Sequence, residues 1–316
     1  MRTRSRAALL AAVLVVAGFS ASACGKINML KGQMAWKDAN AAYQSNDYKK
    51  AIEKYQQALA LNPELYQAYF YLANSYDNLY KPAKKGQPEN DANLAKAVEN
   101  YKKATETIAD PKLKKLSFEY LLAAYGTDKL NDPSQAEPIV QKMIQMDPTD
   151  STSYFALAKI YEDAGNYDQA EASLLKARDA RPKDPAVYMQ MAAFYNRQGH
   201  FDKTMDALNQ RAQTDPTNPE GYYTIATYYW DKTFRDKSLK DDEKKDYIAK
   251  GLEAVDKALS IKQDYLEAIV YKGLLLRNQA SMEKDRKKYE ELMDQAKALT
   301  ERAKSLQKTK TTGAGN

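Results

Sequence analysis

The sequence has one histidine, His200, and one cysteine, Cys24, in 316 residues. A zinc site made of histidine and cysteine ligands therefore cannot be assembled. A Ser-His-Asp triad could use no histidine but His200. The phosphate-binding patterns GxxxxGK[ST] and GxGxxG are also absent. We therefore expect a protein that is not an enzyme and holds no metal or cofactor. His200 lies in Gly199-His200-Phe201 and is expected in a solvated turn.

Glycine and proline are scarce, at 12 and 11 residues, whereas tyrosine occurs 24 times. This balance favours helices, and a hydrophobic fraction of 44% argues against a disordered chain. The net charge is +6, from 48 basic and 42 acidic residues. Without Arg2, Arg4 and Arg6, which lie in a segment expected to be removed, it falls to +3. That charge gives no reason to expect a nucleic-acid partner.

The N-terminal residues are typical of an export signal. Three arginines precede an eleven-residue apolar run over 7–17, followed by Ala21-Ser22-Ala23-Cys24. The run is too short for a permanent membrane span. The motif resembles that of bacterial lipoproteins, which implies that Cys24 becomes the lipid-modified first residue of the mature chain. The alternative is ordinary cleavage after Ala23, which would leave a soluble periplasmic or secreted protein.

Small residues recur seven positions apart at seven places along the chain. Four are alanine pairs and three are degenerate: Ala51/Ala58, Ala97/Ala104, Ala170/Ala177, Ala296/Ala303, Ala136/Met143, Thr204/Arg211 and Gly251/Ala258. Residues seven apart share one helix face, and small side chains there allow close approach of a second helix. Pro148, Pro182 and Pro216 follow three of these pairs, each 34 residues after the previous one. A 34-residue helical period is typical of tetratricopeptide repeats.

The repeat over 154–182 shows this pattern most clearly. Its first helix has a stripe of Tyr154, Leu157, Ala158 and Tyr161, and a Gly165 turn leads to the Ala170/Ala177 helix. The unit that ends at Pro216 repeats it, and in both units the pattern closely resembles the tetratricopeptide motif. The motif's aromatic positions are expected in the core: Tyr154, Tyr161, Tyr188, Tyr195, Tyr222 and Tyr229.

The resemblance covers about residues 33–306 and implies an all-α fold, a right-handed α-solenoid of about seven helix pairs. We predict a signal peptide over 1–23, a lipidated linker over 24–32, the repeats over 33–307 and a flexible tail over 308–316. Pro82, Gly86 and Pro88 predict an inserted loop. A second insertion near 231–246 is expected to end in a capping box, Ser238 with Asp241, and to lead into a lengthened helix.

In this family the first helix of each pair lines the concave surface, where partners bind. Helical periodicity gives the side chains expected on that surface, which we call the groove positions: Trp36, Asn40, Tyr43, Phe70, Asn74, Asp77, Phe155, Lys159, Met189, Asn196, Arg197, Tyr223, Thr227, Trp230 and Arg277. Aromatic, Asn and Arg side chains on one surface suit an extended peptide or a helix of another protein. For any one of these residues, an ordinary surface position or a contact between units is an equally good interpretation.

The sequence thus predicts a scaffold held by lipid on the bacterial cell envelope, at the periplasmic face of the outer membrane, which binds other envelope proteins. A narrower version is an assembly lipoprotein for a pilus, a secretin or β-barrel insertion, because such lipoproteins are similar in combining a lipid anchor with these repeats. The alternative is a module that binds a glycan or small solute in the groove, for which Trp36 and Trp230 are the supporting feature.

Overall fold

The structure is a computed structural model that describes residues 25–313, with side chains to residue 309. The predicted signal peptide and Cys24 lie outside this range. Residues 25–313 form fourteen α-helices and one 3₁₀ turn at Pro82–Lys84. The helices are α1 (25–44), α2 (Tyr48–Leu61), α3 (Gln67–Leu79), α4 (Pro88–Thr107), α5 (Pro111–Tyr125), α6 (Pro133–Met146), α7 (Ser151–Asp163), α8 (Tyr167–Ala180), α9 (Pro185–Arg197), α10 (Phe201–Thr214), α11 (Pro219–Arg235), α12 (Asp241–Ile261), α13 (Leu266–Ala280) and α14 (Arg286–Gly313).

The chain divides into two compact units, unit 1 over Met1–Pro148 and unit 2 over Thr149–Asn316. The described part of unit 1 holds α1–α6, and that of unit 2 holds α7–α14. Each even-numbered helix packs against the helix before it, so unit 1 has three helix pairs and unit 2 has four. This confirms the predicted all-α fold of about seven pairs.

Short polar side chains and prolines fix where the helices begin. The carboxylates of Asp47, Asp110 and Asp132 each accept a hydrogen bond from the backbone N–H three residues later, at the starts of α2, α5 and α6. Asp184 caps α9 through the N–H of Ala186. Proline occupies the first position of five helices, where no hydrogen bond is lost: α4, α5, α6, α9 and α11.

The predicted small residues lie where two helices of a pair meet. Ala170 and Ala177 have no exposed surface, and the same holds for Ala51, Ala58, Ala97 and Ala104. The clear pair at the end of the chain, Ala296 and Ala303, is also buried. Of the six tyrosines predicted in the core, Tyr154, Tyr188, Tyr195 and Tyr229 are buried, whereas Tyr161 and Tyr222 stay partly exposed.

The structure differs from the sequence-based boundaries at several points. The predicted linker over 24–32 is helical from residue 25, and α14 continues to Gly313, past the predicted end of the repeats at 307. The first insertion is a loop only over 80–87, because Pro88 starts a 20-residue α4. The second does lead into a long helix, the 21-residue α12.

The predicted capping box at the start of α12 is wrong. The N-cap of α12 is Lys240, which makes no side-chain cap. Ser238 instead donates its hydroxyl to the Asp236 carboxylate at 2.6 Å, because Asp236 follows the end of α11 and organises the turn. Three acidic residues in the first turn of α12, Asp241, Asp242 and Glu243, stabilise its N-terminus electrostatically without a capping hydrogen bond.

Candidate functional site

A pocket of 330 Å³ lies in unit 2, where the first helices of three successive pairs come together. We call it the unit-2 pocket. Asn196 reaches it from α9, most of its wall comes from α11, and Tyr271 reaches it from α13. Its lining residues are Asn196, Phe201, Thr227, Tyr228, Trp230, Asp231, Lys232, Arg235 and Tyr271. The structure thus brings together three groove positions from two helices: Asn196, Thr227 and Trp230.

Five aromatic rings form a continuous series, of which Trp230 and Tyr271 line this pocket. We call it the aromatic ladder, and it consists of Tyr265, Tyr223, Tyr271, Trp230 and Phe234. Successive ring centroids lie 5.3, 5.5, 5.4 and 5.1 Å apart. Trp230 contacts two members of the series: it stacks on Phe234 at an interplanar angle of 12° and meets Tyr271 edge to face at 87°. These are favourable aromatic geometries, so the rings hold one another in place before any partner arrives.

The α11 sequence separates a face for the core from a face for the pocket. Ile225, Ala226 and Tyr229 are buried against neighbouring helices. Trp230 and Phe234 lie on another side of the same helix and keep exposed surface, with 51% of Phe234 exposed. Trp230 and Phe234 are four residues apart and so share one helix face, beside the face that Ile225 and Tyr229 bury.

The charged groups at the pocket are paired with one another. Arg235 Nε lies 2.5 Å from Asp231 Oδ1, and Lys232 Nζ lies 2.8 Å from Asp236 Oδ2. The Lys232 ammonium also sits 5.3 Å from the centre of the Phe201 ring, a cation–π contact. The surface beside the ladder is therefore close to neutral, and it suits a ligand without a large net charge.

Another ion pair joins α7 to α9 within unit 2. Arg197 donates from Nε and Nη2 to the two carboxylate oxygens of Glu162, each at 2.8 Å. The hydrogen bond from Arg197 holds the pKa of Glu162 below its ordinary value. Burial raises the pKa of Tyr223 to about 12, so its hydroxyl stays protonated well above neutral pH. Both groups are thus fixed in one charge state near pH 7.

The other unit 2 groove positions lie outside the pocket lining. Phe155 and Met189 are partly exposed, and Arg277 is exposed and donates to Thr300 Oγ1 at 2.9 Å. Lys159 is exposed and pairs with Asp163 one turn along α7. These residues are accessible, but no described contact joins them to Trp230 or Tyr271.

In unit 1 the structure contradicts the prediction for two groove positions. Phe70 and Asn74 were predicted on an exposed face, yet they are only 4% and 5% exposed. Phe70 packs against the Tyr101 and Tyr120 rings at 6.0 and 5.6 Å, because α4 and α5 both cover this side of α3. Asn74 accepts from the Tyr43 hydroxyl at 2.7 Å and donates to the Tyr101 hydroxyl at 3.2 Å.

The remaining unit 1 groove positions keep some exposed surface but already have partners. Trp36 contacts the Tyr55 and Tyr71 rings at 5.4 and 5.7 Å, and Asn40 accepts from the Tyr55 hydroxyl at 2.7 Å. Asp77 pairs with Lys129 at 2.5 Å. These contacts hold neighbouring helices together, so the same side chains serve the packing of unit 1.

Sequence reasoning missed Tyr271 in the pocket lining and Phe234 in the aromatic ladder. Neither falls on a motif position. His200 is exposed at the N-cap of α10, in the turn where it was expected. Within residues 25–313, no group of three His, Cys, Asp or Glu side chains is placed to hold a metal ion. Over the same range, every helix is too short or too polar to cross a bilayer.

Two family models match the chain, one described as tetratricopeptide repeat over residues 129–194 and one described as TPR repeat over residues 39–79. The chain contains tetratricopeptide repeats. Both matches agree with the helix pairs seen there, and a comparison with curated proteins found no match.

Solved structures resemble this chain in fold. The C-terminal part of a TPR repeat-containing protein from Cytophaga hutchinsonii is 18% identical, with a TM-score of 0.55, 84% of this chain and 95% of that chain covered. A tetratricopeptide repeat protein from Parabacteroides merdae is 14% identical, with a TM-score of 0.47 and coverages of 84% and 99%. YrrB, described as a TPR protein with an unusual peptide-binding site, is 18% identical, with a TM-score of 0.40 and coverages of 58% and 85%.

Proposed function

We propose that this chain is a non-enzymatic scaffold whose unit-2 pocket binds a short segment of another protein. The observation that supports this most directly is the edge-to-face pair of Trp230 and Tyr271. Their ring centroids lie 5.4 Å apart, at the point where α9, α11 and α13 meet. Aromatic side chains in a recessed pocket are typical centres of binding energy in protein interfaces. Repeat arrays of this family serve as protein-interaction scaffolds, which fits the same conclusion.

The chemistry of the pocket favours a peptide with an apolar anchor. The rings of Trp230 and Tyr271 offer apolar area, while Asn196 carries an amide that can bond to a peptide backbone. A volume of 330 Å³ accommodates one or two side chains rather than a folded domain. Because the neighbouring charges are paired with one another, we expect a segment of low net charge.

Replacing both Trp230 and Tyr271 with alanine is expected to weaken binding of a selected peptide by at least tenfold, or about 1.4 kcal/mol. The peptide would be chosen from a random display library against the full chain and titrated calorimetrically. Tyr167→Ala is the matched control, because Tyr167 is 49% exposed on α8 and away from the pocket lining. Equal affinities for the double variant and the control would contradict the proposal.

A fluorescence experiment with the same selected peptide separates peptide binding from the glycan alternative. In a Trp36→Phe background, Trp230 is the remaining tryptophan, and its emission reports on the pocket directly. We expect a shift with the selected peptide and none across a broad glycan panel. A shift with a glycan, together with no peptide selected, would replace the peptide proposal with binding of a sugar.

We further propose that the chain is held on the bacterial envelope by a lipid on Cys24 and binds envelope proteins there. The basic start, the apolar run over 7–17 and the sequence Ala21-Ser22-Ala23-Cys24 support this proposal. Several acyl chains give durable anchoring where one gives reversible binding. Partners in the same compartment would then meet the scaffold at raised local concentration. A pilus, secretin or β-barrel assembly machine is the narrower form of this proposal.

Radiolabelled palmitate is expected to enter the wild-type chain and to be absent from a Cys24→Ser variant. The acyl group has no other cysteine to occupy, since Cys24 is the single cysteine of the sequence. In a separate experiment, a photoreactive residue in place of Tyr223, followed by mass spectrometry, would identify the protein bound beside the aromatic ladder. Label on neither chain, with wild-type protein recovered in the soluble fraction, would rule out the lipid anchor.

A further inference from the structure

The first helix carries a stripe of large apolar side chains that the rest of the described chain leaves exposed. Ile27, Leu30 and Met34 are 52%, 65% and 61% exposed. Their spacing of three and four residues places them on one face of α1. Large aliphatic side chains exposed in a contiguous row mark an interaction surface, whereas apolar side chains exposed singly do not. We call these three residues the α1 stripe.

The opposite side of α1 is already used for packing against α2. Gly32, Ala35, Ala39 and Ala42 form this second face, and all four are buried. A Cβ added at Gly32 would lie 2.9 Å from Asn62 Cβ, so the two helices are in close contact there. The α1 stripe is therefore left over after the fold of unit 1 is complete, and no rearrangement of the packed face is needed to use it.

Basic residues outnumber acidic ones beside the α1 stripe. Residues 25–37 contain Lys26, Lys31 and Lys37 and no acidic residue, and the first acid of α1, Asp38, follows one turn after Met34 at the end of the stripe. At 3.6 residues per turn, Lys26 and Lys37 fall on one flank of the stripe and Lys31 on the other. None of these lysines makes an ion pair with any residue of the described range 25–313. Unpaired ammonium groups on both sides of an apolar row complement an anionic surface that has an apolar layer beneath it.

From these observations we propose that the first three turns of α1 lie in the surface of an anionic lipid bilayer, with the α1 stripe in the acyl boundary and the three lysines at the headgroups. Helices with an apolar row flanked by lysines bind membrane interfaces in this orientation. The site requires neither acylation of Cys24 nor peptide binding by unit 2. It would set the orientation of unit 1 on the membrane, which attachment at a single point would not do.

The test uses an environment-sensitive fluorophore on the stripe of the full chain. Leu30→Cys in a Cys24→Ser background gives a single labelling site, and Val270→Cys, at a 42% exposed position on α13, is the matched control. With phosphatidylcholine vesicles containing about 30% phosphatidylglycerol, we expect a blue shift and quenching by brominated lipids at residue 30 only. Partitioning should be at least tenfold weaker on pure phosphatidylcholine, since the lysines then have no anionic headgroups to contact.

Adding Ile27→Glu and Met34→Glu to the labelled chain is expected to abolish the quenching. Quenching that survives these changes would mean that residues 1–24 bring the label to the bilayer, and it would overturn the proposal. So would equal responses at residues 30 and 270. A blue shift that grows with protein concentration in the absence of vesicles would overturn it in favour of a second copy of this chain on the stripe.

Discussion

Replacing Tyr101 with alanine is expected to destabilise unit 1 by about 3–5 kcal/mol, as for other large aromatic residues in protein cores. The Tyr101 ring has no exposed surface and lies 6.0 Å from Phe70 and 5.7 Å from Tyr120. Alanine would leave a cavity between α3, α4 and α5. Thermal unfolding followed by circular dichroism should show the midpoint of the unit 1 transition falling by about 10 °C or more.

Tyr101→Phe is the control that separates the ring from its hydroxyl. The hydroxyl accepts a hydrogen bond from Asn74 and donates one to Asp77 at 3.5 Å. Losing it should cost about 1–3 kcal/mol, because the buried Asn74 amide is left without this acceptor. If alanine and phenylalanine cost the same, the polar contacts and not the packing of the ring would be the main contribution of Tyr101.

Burial also gives the tyrosines of unit 1 a defined response to high pH. Desolvation raises the pKa of Tyr101 and of Tyr55 far above the usual value near 10. The folded state therefore keeps these protons at a pH where the unfolded chain releases them. It follows that their contribution to the free energy of unfolding is complete below about pH 10 and is lost as the pH rises above that value.

The helix pairing could be predicted because it depends on residue size at fixed spacing. Ala170 and Ala177 are small, lie seven residues apart and are fully buried. Close approach of two helices tolerates few other side chains at such positions, so the pattern persists in the sequence even where other motif residues vary. Gly251 serves the same purpose in the sixth pair, where α11 and α12 meet. The number of helix pairs followed directly from counting these positions.

Exposure on the first helices was harder to predict, as Phe70 and Asn74 demonstrate. Periodicity identifies the face that packs against the second helix of the same pair. It does not say how much of the remaining surface the next pair covers, and α5 lies close enough to α3 for Tyr120 to reach Phe70. Asn74 is a small amide that a groove and a buried hydrogen-bond network can use equally well. Its burial depends on Tyr43 and Tyr101, which are distant in sequence.

The unit-2 pocket was predicted only in part for a related reason. Trp230 and Thr227 follow from the periodicity of α11, but Tyr271, on α13 in the seventh helix pair, is not a motif position. That Trp230 meets Tyr271 at all depends on how α13 crosses α11, and this angle is set by side chains over the whole contact. A periodic pattern within one helix contains no information about that crossing.

Gly251→Leu is expected to cost about 1–3 kcal/mol of unfolding free energy, in the range of other overpacked cores. A Cβ at this position would lie 3.0 Å from Leu275 Cδ2 and 3.1 Å from Tyr229 Cβ. Leu275 can rotate away, but the Tyr229 Cβ is fixed to the backbone of α11, so α11 must move. Since Trp230 follows Tyr229, the substitution should also change Trp230 emission in the Trp36→Phe background and weaken peptide binding.

Gly273→Ala distinguishes crowding from the loss of a glycine as such. Gly273 is also helical and in unit 2, but a Cβ there would lie 3.5 Å from its nearest neighbour, the Ala296 carbonyl oxygen, which is an ordinary contact. We expect this variant to be as stable as the wild type or up to about 1 kcal/mol more stable, because alanine favours the helix. If Gly251→Leu left both the unfolding midpoint and Trp230 emission unchanged, the contact between α11 and α12 would not determine the position of the aromatic ladder. A shift in Trp230 emission with only a small loss of stability would mean that the pocket responds to a displacement of α11 more strongly than the unfolding free energy does. The reason would be that the rings are partly exposed and can adjust, whereas the packed face of α11 cannot.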